Sequence, residues 1–359
     1  MDSRMERIAE KVRRGERVTR EEGIYLFSSP DIHAIGEIAS RVCERKNGDR
    51  AYFIINRHIN PTNICVNRCK FCAFSKDRGD ALAYEMTMEE ILERTEEAKR
   101  QGATEVHIVG GLHPDWPFEW YLQMLKEIKR VAPEIHIQAF TAVEIDYFSR
   151  ISGLSLEEVF EKLLDAGLGS LPGGGAEIFS PSVRNRICPE KISGERWLQV
   201  MRVAHRMGIR SNATMLYGHL ESVEDRVDHL LALRDLQDET GGFQAFIPLA
   251  FHPKNTEIER GYTSGLDDLR TLAVSRIILD NFDHIKAFWI MVGEKIAQLS
   301  LLYGVDDIDG TVVEEKITHA AGALTGEEMS VDEIVTLIKQ VGKVPVQRDT
   351  LYNVVRVWN

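Results

Sequence analysis

The sequence predicts an α/β fold, a (β/α)8-type TIM barrel that is closed or nearly closed, with helices before and after it. Two observations predict it. From Tyr52 onward, short apolar runs alternate with amphipathic helical stretches seven or eight times, the pattern of a parallel sheet. The first strand then leads into a cysteine cluster where an open dinucleotide-binding sheet would carry its glycine fingerprint. Eight units are the number that closes a barrel.

Taken in order, the first fifty residues read as helical. Thr19-Arg-Glu-Glu22 and Ser29-Pro30-Asp31 supply helix starts there. Tyr52–Asn56 is the first strand. Thr87-Met-Glu-Glu90 is a capping box that opens a helix ending near Gly102. Val106–Val109 is a strand closed by Gly110-Gly111, and Phe118–Val131 a helix with Tyr121, Leu122, Leu125 and Ile128 on one face. Strands follow at Ile135–Phe140, Leu168–Pro172, Ser211–Tyr217, Phe243–Phe251 and Ile285–Val292, with a short eighth at Gly310–Val313. The helices between them are Ser155–Gly167, Glu195–Met207, Val223–Leu236, Leu266–Leu279 and Lys295–Leu302. Ser330-Val-Asp-Glu333 caps a last helix before Val344-Pro345. The expected organisation is a packed helical extension over 1–50, the barrel over 51–320, and a C-terminal helix and tail over 321–359.

Bulk composition narrows the function. A net charge of −12 argues against a protein that tracks nucleic-acid phosphates. No apolar run is long enough to cross a bilayer, and the charged start lacks the apolar core of a signal peptide. The expectation is no nucleic-acid partner and no membrane. Five cysteines, three of them clustered, do not form a disulfide framework, so a reducing cytoplasm is expected. Cys43 and Cys188 lie far from the cluster in sequence and read as small buried hydrophobes.

The chemistry sits in Asn-Ile-Cys-Val-Asn-Arg-Cys-Lys-Phe-Cys, where Cys65, Cys69 and Cys72 stand in C-x3-C-x2-C spacing. Thiolates that close together can share one soft metal centre. Three are one too few for a closed zinc site or a four-cysteine cluster, so one metal corner is left open to bind something. A zinc knuckle completed by His58 is the alternative, and with it a non-catalytic zinc or iron–sulfur module.

This loop, placed after the first barrel strand with Phe71 ahead of the last cysteine, resembles the signature of the radical S-adenosylmethionine enzymes. The resemblance implies a [4Fe-4S] cluster held by Cys65, Cys69 and Cys72, with S-adenosylmethionine on the fourth iron as co-substrate. It also implies that Gly110-Gly111 approaches the cofactor's amino group, Phe71 its adenine, and Glu144 its ribose or methionine part. Asn56-Arg-His-Ile-Asn-Pro-Thr-Asn63, Pro172-Gly-Gly-Gly-Ala-Glu177 and Gln347-Arg-Asp-Thr-Leu-Tyr352 resemble the menaquinone/F420 branch of that superfamily over nearly the whole chain. Ala139–Ile145, Ala213–His219 and Ile247–Pro253 look most like the aminofutalosine synthase family within it.

The reaction so implied adds a 5′-deoxyadenosyl radical to the enol ether of 3-[(1-carboxyvinyl)oxy]benzoate. Aryl migration and loss of carbon dioxide or bicarbonate follow, giving 6-amino-6-deoxyfutalosine and methionine. A dehypoxanthine futalosine cyclase is the neighbouring alternative. Two substrate carboxylates call for hydrogen-bonding or cationic groups at the barrel mouth. Arg57, His58, His219, His252, Arg184 and Arg186 are the candidates. Gly173, Gly174 and Gly175 let backbone N–H groups crowd the adenosyl part, with Glu177 as a hydroxyl acceptor or turn stabiliser. No second cysteine set is present, so the electron is expected from a flavodoxin- or ferredoxin-type donor.

Overall fold

A computed structural model describes residues 2–358. Three helices come first, α1 (Ser3–Arg13), α2 (Arg20–Ser28) and α3 (Ile32–Asn47). The chain then alternates through β1 (Arg50–Ile54), β2 (Asn56–Ile59), α4 (Met88–Arg100), β3 (Glu105–Ile108), α5 (Phe118–Val131) and β4 (His136–Ala139). It continues with α6 (Ala142–Ser152), α7 (Leu156–Ala166), β5 (Ser170–Leu171), α8 (Pro181–Ile187), α9 (Gly194–Arg206) and β6 (Arg210–Tyr217). Next come α10 (Val223–Thr240), β7 (Phe243–Ala250), α11 (Gly265–Ile278), β8 (His284–Ile285), α12 (Trp289–Val292) and α13 (Glu294–Ser300). Last are β9 (Asp307–Gly310), α14 (Ile317–Ala320), α15 (Val331–Gln340), β10 (Val344–Arg348) and β11 (Val354–Val357).

Strands β2 to β8 form one parallel sheet in sequential order, as a right-handed run of βα units requires. The seven-stranded sheet is a partial barrel, and single parallel bridges, Lys286↔Asp307 at the start of β9 and Arg57↔Val313 just beyond its end, span the gap between β8 and β2. Helix starts follow the sequence closely. The capping boxes Thr19/Glu22, Thr87/Glu90, Ser155/Glu158 and Ser330/Glu333 all form, each worth about 1 kcal/mol. Around the barrel, α3 packs on α11, and α2 on α10 and α11. Arg17 on Asp238 and Asp280, and Arg20 on Asp228, add ion pairs to that seam.

Four expectations change. The first strand of the seven-stranded sheet is not Tyr52–Asn56 but β2, while β1 pairs with β9 and β10 in a second sheet. Ile285–Val292 is not one strand: β8 stops at Ile285 and Trp289–Val292 is a helical turn, with the Trp289 indole donating to Gly310 O at 2.9 Å. The eighth strand starts three residues earlier than Gly310, at Asp307, where acidic residues hid it. The tail after α15 is not irregular. It folds as β10 parallel to β1 and β11 antiparallel to β10, across the N-terminal end of the barrel. There Arg348 and the Tyr352 hydroxyl both bond Asp307 Oδ2, at 2.6 and 2.8 Å, and the Tyr352 ring stacks on His284 at 3.6 Å. Gln244 at the start of β7 donates to Thr350 O. The N-terminal end of the barrel is thereby plugged, and the open end is the one where the strands finish.

Candidate active site at the barrel mouth

The C-terminal ends of the strands surround a cavity of about 300 Å³. Strand alternation decides which side chains reach it. On β2, consecutive residues point to opposite faces, so His58 lines the cavity while Arg57 turns outward. Arg57 is ion-paired there with Glu97 and Glu314, both at 2.9 Å. The same register places His107 beside His58 on the inner face, their rings stacked with centroids 4.4 Å apart. Burial and the neighbouring ring hold His58 well below the usual histidine range, and burial also lowers His107. Both are neutral imidazoles at pH 7. The His58 backbone N–H donates to Val313 O at 3.0 Å, but its imidazole makes no hydrogen bond to any described residue.

The cysteine loop leaves β2 and crosses the mouth. Cys65, Cys69 and Cys72 all line the cavity, and so does Phe71. Arg68 staples the loop from inside, donating to Cys65 O, to Asn67 O at 3.1 Å and to Ser75 Oγ at 3.0 Å. Burial pushes the Cys69 thiol up to about 12 and raises Cys72, so neither is a free thiolate in the bare protein. A bound cation or cluster would have to drive that deprotonation. Among the described residues no three His, Cys, Asp or Glu side chains are gathered to hold a single metal ion. Three soft donors on one short loop and one cavity wall are nonetheless the donor set an iron–sulfur cluster takes.

Glycines shape the cofactor side. A Cβ on Gly111 would come 2.1 Å from Ile64 O, so only glycine lets β3's turn close on the cysteine loop. Glu144 stands in the first turn of α6. It is the N3 residue of α6, where Oε2 accepts from Thr141 N at 2.7 Å and Oε1 from Gly110 N at 3.3 Å. Burial pushes its carboxyl up to about 7. In the glycine run, Gly173 O accepts from Thr214 Oγ1 at 2.8 Å, Gly174 O from Trp197 Nε1 at 3.0 Å, and Gly175 O from Arg184 Nη2 at 3.0 Å. All three carbonyls are tied back, and among the described residues the amides of Gly174 and Gly175 have no acceptor. Gly174 and Gly175 line the cavity; Gly173 (φ +83°) sits just behind.

Arg184 accordingly does not reach the mouth. It is buried, and bonds Ile192 O at 2.7 Å, Ala176 O at 2.6 Å and Ile178 O at 3.2 Å besides Gly175 O. Arg186 is exposed. His219 is also outside the cavity: its Nδ1 accepts from Leu220 N at 2.7 Å, which leaves the proton on Nε2 for Leu216 O at 3.0 Å. His252 does line the cavity. Its Nε2 lies 3.0 Å from Met291 O and so carries the proton, leaving Nδ1 buried without a partner.

Four titratable lining residues went unread in the sequence. His107 was findable, because alternation in Val106-His-Ile-Val109 sets it opposite two buried apolar residues. Lys191 was not, since a lysine beside Pro189 and Glu190 reads as solvent-facing. It ion-pairs with Glu177 at 2.5 Å and lies 5.0 Å over the Phe71 ring. Burial works against its ammonium, but the Glu177 carboxylate beside it holds it above the ordinary lysine value. Asp309, paired with Lys286 at 3.0 Å, and Glu315, accepting from Thr318 N at 3.0 Å, complete the far wall. Glu177 and Asp309 have left-handed backbones (φ +50° and +72°), strain that non-glycine residues hold where a site demands it.

The radical SAM superfamily model matches residues 59–233, and the CofH/MqnC C-terminal region model matches 240–358. The chain is 45% identical over 363 residues to an aminodeoxyfutalosine synthase of Thermus thermophilus, covering 100% of this chain and 98% of that one. It belongs to the radical SAM superfamily. It is also 45% identical over 317 residues to a 5-amino-6-(D-ribitylamino)uracil–L-tyrosine 4-hydroxyphenyl transferase of Methanopyrus kandleri, covering 87% of this chain and 86% of that one. Methylornithine synthase shares the fold, with a TM-score of 0.75 at 18% identity over 94% of this chain and 97% of that one. The protein is therefore a radical SAM enzyme, and the superfamily implies a [4Fe-4S] cluster and S-adenosylmethionine. Among the described residues no helix is long and apolar enough to cross a membrane.

Proposed function

We propose that this radical SAM enzyme is an aminodeoxyfutalosine synthase, acting on 3-[(1-carboxyvinyl)oxy]benzoate with S-adenosylmethionine as co-substrate in menaquinone biosynthesis. The observation that carries the reading is one continuous cavity in which the three thiols share walls with Gly174, Gly175 and Glu177 on one side and His58, His107 and His252 on the other. The likeness to the Thermus synthase over the whole chain supports this substrate over that of the transferase, whose match covers less of it.

Cys65, Cys69 and Cys72 would hold the cluster. When bound, cluster and cofactor supply a one-electron cleavage that yields methionine and a carbon radical able to add to an enol ether. The protein's own groups orient and shield. The unpaired amides of Gly174 and Gly175 and the Glu177 carboxylate receive the adenosyl part, while Gly110-Gly111, Phe71 and Glu144 shape the space for the remainder. Glu144, with both oxygens occupied by backbone N–H groups, acts on the cofactor through the Gly110 turn it fixes. At the far end His58 offers a neutral imidazole N–H to a substrate carboxylate, with His107 holding its plane. Phe251, Phe288 and Leu249 give apolar walls that keep water from the reacting carbon. A flavodoxin- or ferredoxin-type protein supplies the electron from outside.

Anaerobic reconstitution with iron and sulfide, then turnover with the enolpyruvyl benzoate and mass spectrometry, tests the reading. An adenine-containing adduct formed with one methionine per turnover is the expected product. Turnover of 5-amino-6-(D-ribitylamino)uracil with tyrosine, or of dehypoxanthine futalosine, and none of the benzoate would overturn it.

A further inference from the structure

Among the described residues lining the cavity, Lys191 is the one lysine or arginine. It stands in the loop after α8, and the end of α8 and that loop are each fastened to the cysteine loop. Lys70 N donates to Ile187 O at 2.8 Å, and the Arg68 amide donates to the Glu190 carboxylate. The ammonium is thus fixed relative to the thiols. Its Nζ lies 5.0 Å from the centre of the Phe71 ring, midway along the Cys69–Cys72 segment. On its other side is Glu177 Oε1 at 2.5 Å, from a carboxylate only 8% exposed. The left-handed backbone that aims Glu177 inward is itself fixed by Leu216 N donating to Glu177 O at 2.8 Å.

We propose that the Lys191–Glu177 pair sets the reduction potential of the cluster held by Cys65, Cys69 and Cys72, Lys191 raising it and Glu177 restraining that rise. This rests on the cluster assignment above. The step is a bare electron transfer: one electron enters the oxidised cluster from a low-potential donor, no bond forms or breaks, and no proton moves. Adding negative charge to a buried centre is easier beside a cation and harder beside an anion, and both effects are strong where water is excluded. Glu177 answers the cation when the cluster is oxidised, so the pair has no net charge. Removing either member leaves the other uncompensated. Lys191→Met leaves a bare carboxylate facing the cluster, and Glu177→Gln leaves a bare ammonium. The two variants must therefore move the potential in opposite directions, which a packing role could not produce.

The test is an electron-paramagnetic-resonance redox titration of reconstituted holoenzyme without S-adenosylmethionine, with iron content measured in parallel. At the wild-type midpoint, Lys191→Met is expected to lower the reduced-to-oxidised ratio about tenfold or more, about 59 mV for one electron. Glu177→Gln is expected to raise it by a similar factor, and Lys191→Arg to stay near the wild type. Equal potentials in all four proteins, or shifts of the same sign in Lys191→Met and Glu177→Gln, overturn the proposal. If Lys191→Met fails to take up iron, Glu177→Gln decides alone, and an unshifted potential there overturns it. A wild-type protein that assembles no cluster would instead sink the function reading, and this one with it.

Discussion

Replacing Arg184 separates a substrate-binding arginine from a clamp on the glycine run. The guanidinium makes four bonds to main-chain carbonyls, at Gly175, Ala176, Ile178 and Ile192. Hydrogen bonds from a charged donor net about 1.5–3 kcal/mol each, but four on one side chain do not add, and the stranded carbonyls keep part of their desolvation cost. About 4 kcal/mol is a reasonable loss for Arg184→Met, the range seen when one side of a buried charged network is removed. Unfolding entropy near 2.1 cal/mol/K per residue gives about 0.75 kcal/mol/K for 359 residues, so Tm should fall by about 5 °C. Arg184→Lys should recover less than half of that, because an ammonium cannot span four carbonyls set around a planar fork. Calorimetry gives Tm, and equilibrium dialysis gives the S-adenosylmethionine affinity, which should weaken because Gly175 loses its anchor. A Tm within 1 °C of wild type, with unchanged cofactor affinity and a tenfold higher KM for the benzoate, would refute the clamp and restore Arg184 to the substrate.

Three other outcomes are expected. Alanine at Cys65, Cys69 or Cys72 should each abolish the cluster's visible absorbance, whereas serine at Cys43 or Cys188 should keep the iron content. Gly174→Val should stop turnover while the cluster absorbance survives, since a Cβ there already comes 2.9 Å from Thr141 Cγ2; loss of the cluster as well would make the loop structural. Glu144 should leave a pH signature in the cluster-free protein. Its carboxyl is pushed up from the ordinary 4.5 to about 7 by burial, so between those values the unfolded chain ionises it and the folded chain does not. Stability should fall as pH rises through that window, by about 3 kcal/mol at about 1.4 kcal/mol per unit, and level off above it. Glu144→Gln should flatten that limb in urea titrations at stepped pH, and an unchanged slope would count against it.

The parts of the fold legible in the sequence were those with local causes. Capping boxes such as Thr87/Glu90 satisfy their own helix ends, and the alternation in Val106–Val109 needs no distant partner to declare a strand. β10 was hidden because Val344-Pro345 looks like a strand-breaker. Its proline stands in a pairing with Ala51 that the local sequence does not announce. β9 was shifted because Asp307 and Asp309 look like turn residues, yet Asp307 is buried by Arg348 and Tyr352 from 41 and 45 positions away. The site divided the same way. Cysteines and glycines are read from spacing, and His58 from its place at the end of a strand. Arg57, Arg184 and His219 do not reach the cavity because residue type alone does not tell which face of the backbone a side chain leaves from: Arg57 pairs with carboxylates, and Arg184 and His219 are tied to main-chain groups.

The scarcity of cations in the cavity follows from where this acidic chain spends its arginines. With 44 basic against 56 acidic residues, carboxylates outnumber the basic side chains that pair with them. The seams between helices and barrel take Arg17, Arg20, Arg57 and Arg226, each bound to one or two carboxylates. Arg276 and Arg348 are buried with Asp306 and Asp307 at the plugged end. Among the described residues, what lines the open end is neutral imidazole, hydrogen-bonded or ion-paired carboxyl groups and a single ammonium. Such a wall gives direction to a substrate through N–H donors without supplying mobile protons, and it excludes the water that strong ions would draw in. The plug serves the same end. It fixes Asp307 and β1, and β1 runs directly through β2 into the cysteine loop, so bonds at the bottom of the barrel hold the chemistry at the top in register.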